Sequence, residues 1–129
     1  MKKITVVQIN SEKQQLIPIE IEYQSYQDQM AKIKSLIGPK CTTLGMASMV
    51  GEESIFCDDD GWQNLDPQNQ GVKGFKLDKC IIIPGNAVCV GAEGGEHPYG
   101  GTFTFPLDKL RKFIRFGHYS MVDVYLMGR

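Results

Sequence analysis

"KITVVQINSEKQQLIPIEIEYQSYQDQMAKIKSLIGP" (Lys3–Pro39) changes its hydrophobic period partway along, and that change decides the fold class. Lys3–Ile9 is rich in β-branched residues, and in Leu16–Glu22 the isoleucines 17, 19 and 21 alternate with Pro18, Glu20 and Glu22. Both runs read as strands, and the polar "NSEKQQ" between them predicts a hairpin. Pro18 removes a ladder donor, so the second strand belongs at an edge or a bulge. From Ser25 the pattern becomes helical. Tyr26, Met30, Ile33 and Ile37 recur at spacings of three and four, and Gln27, Lys32 and Lys34 point elsewhere. Ser25 can cap the first turn, Asp28 suits its positive end, and Gly38-Pro39 stops the helix.

The same reading continues outward. Cys41–Met49 and Ser54–Cys57 predict a second strand pair joined by a turn at "VGEE". "DDDGWQNLDPQNQG" is a turn-rich loop, and "KCIIIPGNAVCVGA" holds two short apolar strands around a Pro84-Gly85 turn. Thr102–Phe105 reads as a strand and Pro106–Phe116 as a second helix, ended by Gly117. Tyr119–Met127 closes the chain as a further strand. The expectation is a single α+β domain over residues 1–129: a mainly antiparallel sheet of six to eight strands with helices over 25–37 and 106–116.

Composition narrows the function classes. A net charge of -1 supplies no overall basic field, which argues against nucleic acid as a partner and makes any anion binding local. Cysteines at 41, 57, 80 and 89 lack the spacing of a zinc site or a redox pair, so free thiols in a reducing cytoplasm are expected. The apolar run after the first lysines is too short for a signal peptide, and no stretch approaches the roughly 20 apolar residues of a membrane span.

Three stretches invite a chemical reading that their spacing does not sustain. Counted from Asp58, "DDDGWQ" places Trp62 and Gln63 where a calcium loop needs an oxygen ligand and then glycine. "GAEGGEHPYGG" (Gly91–Gly101) has the glycines of a phosphate loop without its lysine, and Glu93 and Glu96 would repel phosphate. Cys89 with His97 can be drawn as nucleophile and base, but Cys89 falls in an apolar strand where thiols are buried and inert. No cofactor, structural metal or catalytic set is expected.

The candidate that stands is the basic segment "PLDKLRKFIRF". On a helix, Arg111 and Arg115 lie four apart beside an inward stripe of Leu107, Leu110, Phe113 and Ile114. Two adjacent guanidinium groups can clamp phosphate or carboxylate oxygens. The competing reading is that Asp108 neutralises Arg111 and Lys112 on a solvated face. Phe105 and Tyr99 could stack a base, and Asn86 and His97 complete the set of ligand-binding candidates. A second surface, Asp58, Asp59 and Trp62, suits a protein partner. The apolar terminal "YSMVDVYLM" predicts pairing with another copy, hence a homo-oligomer.

"SIFCDDDG", "LDPQNQG", "PGNAVCVGAEGGE" and "FTFPLDKLRKFIRF", covering roughly Leu36–Phe116, resemble an uncharacterised family of small phage, plasmid and mobile-element proteins. This chain departs from that pattern in a longer "GGEHPYGG" loop and an added "GHYSMVDVYLMGR" terminus. The resemblance implies a small accessory protein of the bacterial cytoplasm, one that counters host defence by sequestering a nucleotide-type signal or by inhibiting a host protein. It assigns no catalytic residue. A small hydrolase is the remaining alternative.

Overall fold

A computed structural model describes residues 2–39, 41–50, 53–61, 71–77, 81–92 and 101–120. Within them the chain is α+β, with two helices and eight strands in two antiparallel sheets. The first hairpin forms as the alternation predicts: β1 (Lys2–Asn10) pairs with β2 (Gln15–Tyr23) over its whole length. Ile4 and Val6 face one side of the sheet with Ile21 and Tyr23, while Val7 and Ile9 face the other. Pro18 sits on β2, which is an edge strand.

Helix α1 (Tyr26–Ile37) begins at Ser25, whose Oγ accepts the Asp28 N–H at 3.2 Å. Asp28 Oδ2 in turn accepts the Gln24 N–H at 3.0 Å, so the first turn is held reciprocally. The buried stripe is Gln29, Ile33 and Ile37. Tyr26, expected on that stripe, is 48% exposed, because it lies at the first turn, beyond the sheet that Ile33 and Ile37 cover.

Strands β3 (Leu44–Val50) and β4 (Glu53–Asp58) form the second hairpin. Strand β5 (Val72–Leu77) follows, then β6 (Ile81–Pro84) and β7 (Ala87–Val90). The Pro84-Gly85 turn does not close a hairpin. It carries the chain from one sheet to the other: β6 pairs with β5, whereas β7 enters between β1 and β4. Gly85 takes φ +75° there, a conformation that favours glycine. The larger sheet runs β2-β1-β7-β4-β3. Helix α1 covers one of its faces, and the smaller sheet packs on the other through Phe75, Leu77, Ile83 and Ile114, joined by Phe103 and by Leu110 of the 107–112 segment.

Two expectations are corrected near the end of the chain. Thr102–Phe105 is not a strand. Its groups bond individually: Phe103 N–H donates to the Thr5 carbonyl at 2.9 Å, Thr102 Oγ1 accepts from Thr5 N–H at 3.1 Å, and the Thr104 and Phe105 N–H groups go to the Glu53 carboxylate. The second helix, α2, spans only Leu107–Lys112, and Phe113 caps it. From Ile114 the chain becomes β8 (Ile114–Tyr119) and pairs with all six residues of β5. Six ladder positions and the inward Ile114 and Phe116 outweigh another turn of helix. Of the expected strand Tyr119–Met127, Tyr119 ends β8 and residues 121–127 lie outside the described residues, so the self-pairing read from it has no structural description.

Candidate anion-binding surface

The helix-to-strand change at Phe113 rearranges the predicted clamp. Arg111 is exposed on α2, and Arg115 is exposed on β8, so they are not one turn apart on a common helix. Arg115 gains a different neighbour: its partner in the ladder is Lys76 of β5. The flanking pair, Phe75 and Phe116, turns inward to the core with ring centroids 6.4 Å apart. Side chains alternate along a strand, so Lys76 and Arg115 both stand on the outer face of the small sheet. Directly opposed residues hold their Cβ atoms about 4.5–5.5 Å apart, and like charges so placed repel.

The next position outward in the ladder pairs Gly74 with Gly117, and beyond it Val72 pairs with Tyr119. The Tyr119 ring lies across Gly117, where an added Cβ would come within 3.2 Å of its Cζ and Oη. Its hydroxyl donates to the Arg115 carbonyl at 3.0 Å. An aromatic ring is thereby fixed beside the two cations on one face.

The ion pairs formed among the described residues lie elsewhere: Lys3 with Glu20 and Glu22, Lys32 with Asp28, and Lys73 with Glu12. Lys76, Lys109, Arg111, Lys112 and Arg115 have none. Asp108, the residue that could have neutralised Arg111 and Lys112, forms no ion pair with either. Among the described residues, the α2–β8 corner presents basic side chains that form no ion pair.

Asn86 belongs to another region. Its Oδ1 accepts the Ser11 N–H at 2.9 Å, tying the β6–β7 crossing to the β1–β2 turn. It lines a cleft of about 380 Å³ together with Asp58, Cys41, Lys73 and the end of α1. Its charges do not favour an anion. Asp58 and the negative end of α1 border it, and Lys73 in its lining is paired with Glu12 at 3.1 Å. The Cys41 thiol registers the same field: burial pushes its pKa up, and Asp58 adds to the rise.

Phe105 is half-buried against the core, 6.4 Å from the rings of Phe103 and Phe113, and so is not free to stack a base. His97, Tyr99 and Trp62 lie outside the described residues. Asp58 and Asp59 have local work: Asp58 Oδ1 accepts the Asp60 N–H at 3.0 Å, and Asp59 N–H donates to Thr43 at 2.9 Å. Cys89 is fully buried, and burial drives its thiol far above the ordinary range. Among the described residues no three metal-ligating side chains converge, and no helix is long and apolar enough to cross a membrane.

Sequence reasoning missed Lys76 and Tyr119. The signal was present in the alternation of "VKGFKL" and "IRFGHY", whose inward Phe75 and Phe116 leave Lys76 and Arg115 on the opposite face. Comparison with protein families, curated proteins and solved structures finds no match to this chain. The resemblance to mobile-element proteins therefore rests on the quoted motifs.

Proposed function

We propose that this chain is a non-catalytic binding protein that holds a small anionic, nucleotide-type molecule on the outer face of β5 and β8. The observation that carries this reading is the cross-strand pair of Lys76 and Arg115, two like charges with no acidic partner among the described residues. A phosphate between them replaces repulsion with charge-assisted hydrogen bonds. Arg111 and Lys112 extend the positive field from α2, and the Tyr119 ring offers a stacking surface for a base. The buried Cys89 thiol supports binding over nucleophilic hydrolysis.

In the setting implied by the mobile-element resemblance, such a protein would sequester a host signal. Inhibition of a host protein through Asp58, Asp59 and Trp62 draws less support, because the Asp58 carboxylate already accepts the Asp60 N–H within its own turn. Calorimetric titration with linear and cyclic nucleotides tests the proposal, comparing wild type with Lys76→Glu. The reading requires that wild type bind at least one and that the variant lose affinity. No binding by wild type, or equal binding by both, overturns it.

A further inference from the structure

The cleft that Asn86 lines holds hydrogen-bonding groups that the fold does not use up. Asn86 Oδ1 accepts the Ser11 N–H at 2.9 Å. A backbone N–H only donates, so this bond settles which end of the amide is the oxygen. Ser11 lies outside the lining of the cleft, so the oxygen is turned towards Ser11 and the amino end is left to the cleft. Its two donors have no hydrogen-bond partner among the described residues. Asp58, in the same lining, supplies acceptors. Its Oδ1 takes the Asp60 N–H at 3.0 Å, and a carboxylate has lone-pair sites for about four donors. Ile37, Pro39, Val72 and Pro84 make the walls apolar.

These groups select by charge. An anion would face the Asp58 carboxylate and the negative end of α1. A cation would face the Lys73 ammonium and the hydrogens of the Asn86 amino group. An uncharged molecule avoids both penalties, and it can accept from Asn86 while donating to Asp58. We infer that the cleft is a binding site for an uncharged heterocycle carrying an acceptor beside an N–H donor, the edge that a nucleobase presents. The apolar walls cover its ring, and the volume of about 380 Å³ lies within the roughly 300–1,000 Å³ of small-molecule sites. This site stands apart from the β5–β8 face, since it needs no phosphate and none of Lys76, Arg115 or Tyr119.

Cys41 also lines the cleft and reports occupancy without any variant. With adenosine, guanosine, cytidine and uridine as probes, at least one should bind wild type and slow the alkylation of Cys41, located by mass spectrometry. Asn86→Asp keeps an oxygen for Ser11 and removes the donors. Asp58→Asn keeps an oxygen for Asp60 and replaces the other acceptor with donors. Each variant should weaken the bound nucleoside about 10-fold or more, with a melting curve showing that it is folded. A purely structural Asn86 predicts equal binding by Asn86→Asp and wild type. Lys76→Glu should leave nucleoside affinity unchanged, so this site and the β5–β8 face fail separately. The inference is overturned if wild type binds none of the four, or if Cys41 reacts as fast with the nucleoside as without it. Unchanged affinity in Asn86→Asp, or an equal loss in Lys76→Glu, overturns it as well.

Discussion

The Glu53 carboxylate at the start of β4 receives the N–H of Thr104 at 2.9 Å on each of its oxygens. Phe105 N–H adds a third bond at 3.0 Å, and the Thr104 hydroxyl also donates to it. One side chain thus holds the segment that leads into α2. Glu53→Ala should cost about 1–2 kcal/mol in urea unfolding, since these are charge-assisted bonds near solvent. Glu53→Gln should recover only part of this, because an amide has one acceptor oxygen. Equal stability of Glu53→Ala and wild type would count against the tether.

At Lys76 the expectations for stability and binding have opposite signs. Lys76→Glu places a carboxylate across the ladder from Arg115, which should raise stability by about 0.2–1 kcal/mol. The same change should weaken nucleotide binding about 10-fold or more, the equivalent of one lost charge-assisted bond. A basic face with no ligand would show the first effect without the second. Thermal unfolding run beside titration separates them.

Gly91 pairs with Gly101 through reciprocal backbone bonds of 2.8 and 2.6 Å. A Cβ at Gly91 would fall 1.8 Å from the Thr102 carbonyl oxygen, so the backbones must part. Gly91→Ala should cost about 2–4 kcal/mol, within the range of severe single substitutions. Gly38→Ala has open space at its Cβ and serves as the control. A melting curve for Gly91→Ala like that of wild type would refute the close approach.

Cys57 gives a pH dependence. Burial, reinforced by Asp59 and Asp58, pushes its thiol from 9.0 up to about 11. The folded chain therefore holds a proton that the unfolded chain releases more easily. The associated stability is full below pH 9 and declines as pH rises towards 11. Cys57→Ala should flatten the fall in melting temperature between these values. Under native conditions the more accessible Cys41 should be alkylated before Cys57, and Cys89 only after unfolding.

The hairpin and α1 were legible because their signals are local: alternating isoleucines, a serine cap, and a glycine-proline stop. The boundary between α2 and β8 was not. Leu110, Phe113 and Ile114 satisfy a helical stripe, while Ile114 and Phe116 equally satisfy a strand, and only pairing with β5 decides between them. Strand β5 itself went unassigned, since Gly74 and its flanking lysines obscure the apolar alternation. The candidate site followed the same division. Arginine content pointed to the α2–β8 corner, but the arrangement of its charges depends on a ladder between residues far apart in sequence. Asn86 was read by its own turn, whereas its partner Ser11 comes from the first hairpin.

The place of β7 has a consequence for how the chain is born. The hairpins β1–β2 and β3–β4 are each complete before Ala87 is synthesised, yet they share a sheet only through β7, whose four residues are all buried. Until β7 arrives, β1 and β4 each present a bare inner edge. Sheet closure is therefore a late, non-local event that waits on the ribosome, and contacts of such long sequence separation slow folding. A nascent chain stalled before Ala87 would carry two open hairpins, each a template for pairing with the wrong neighbour.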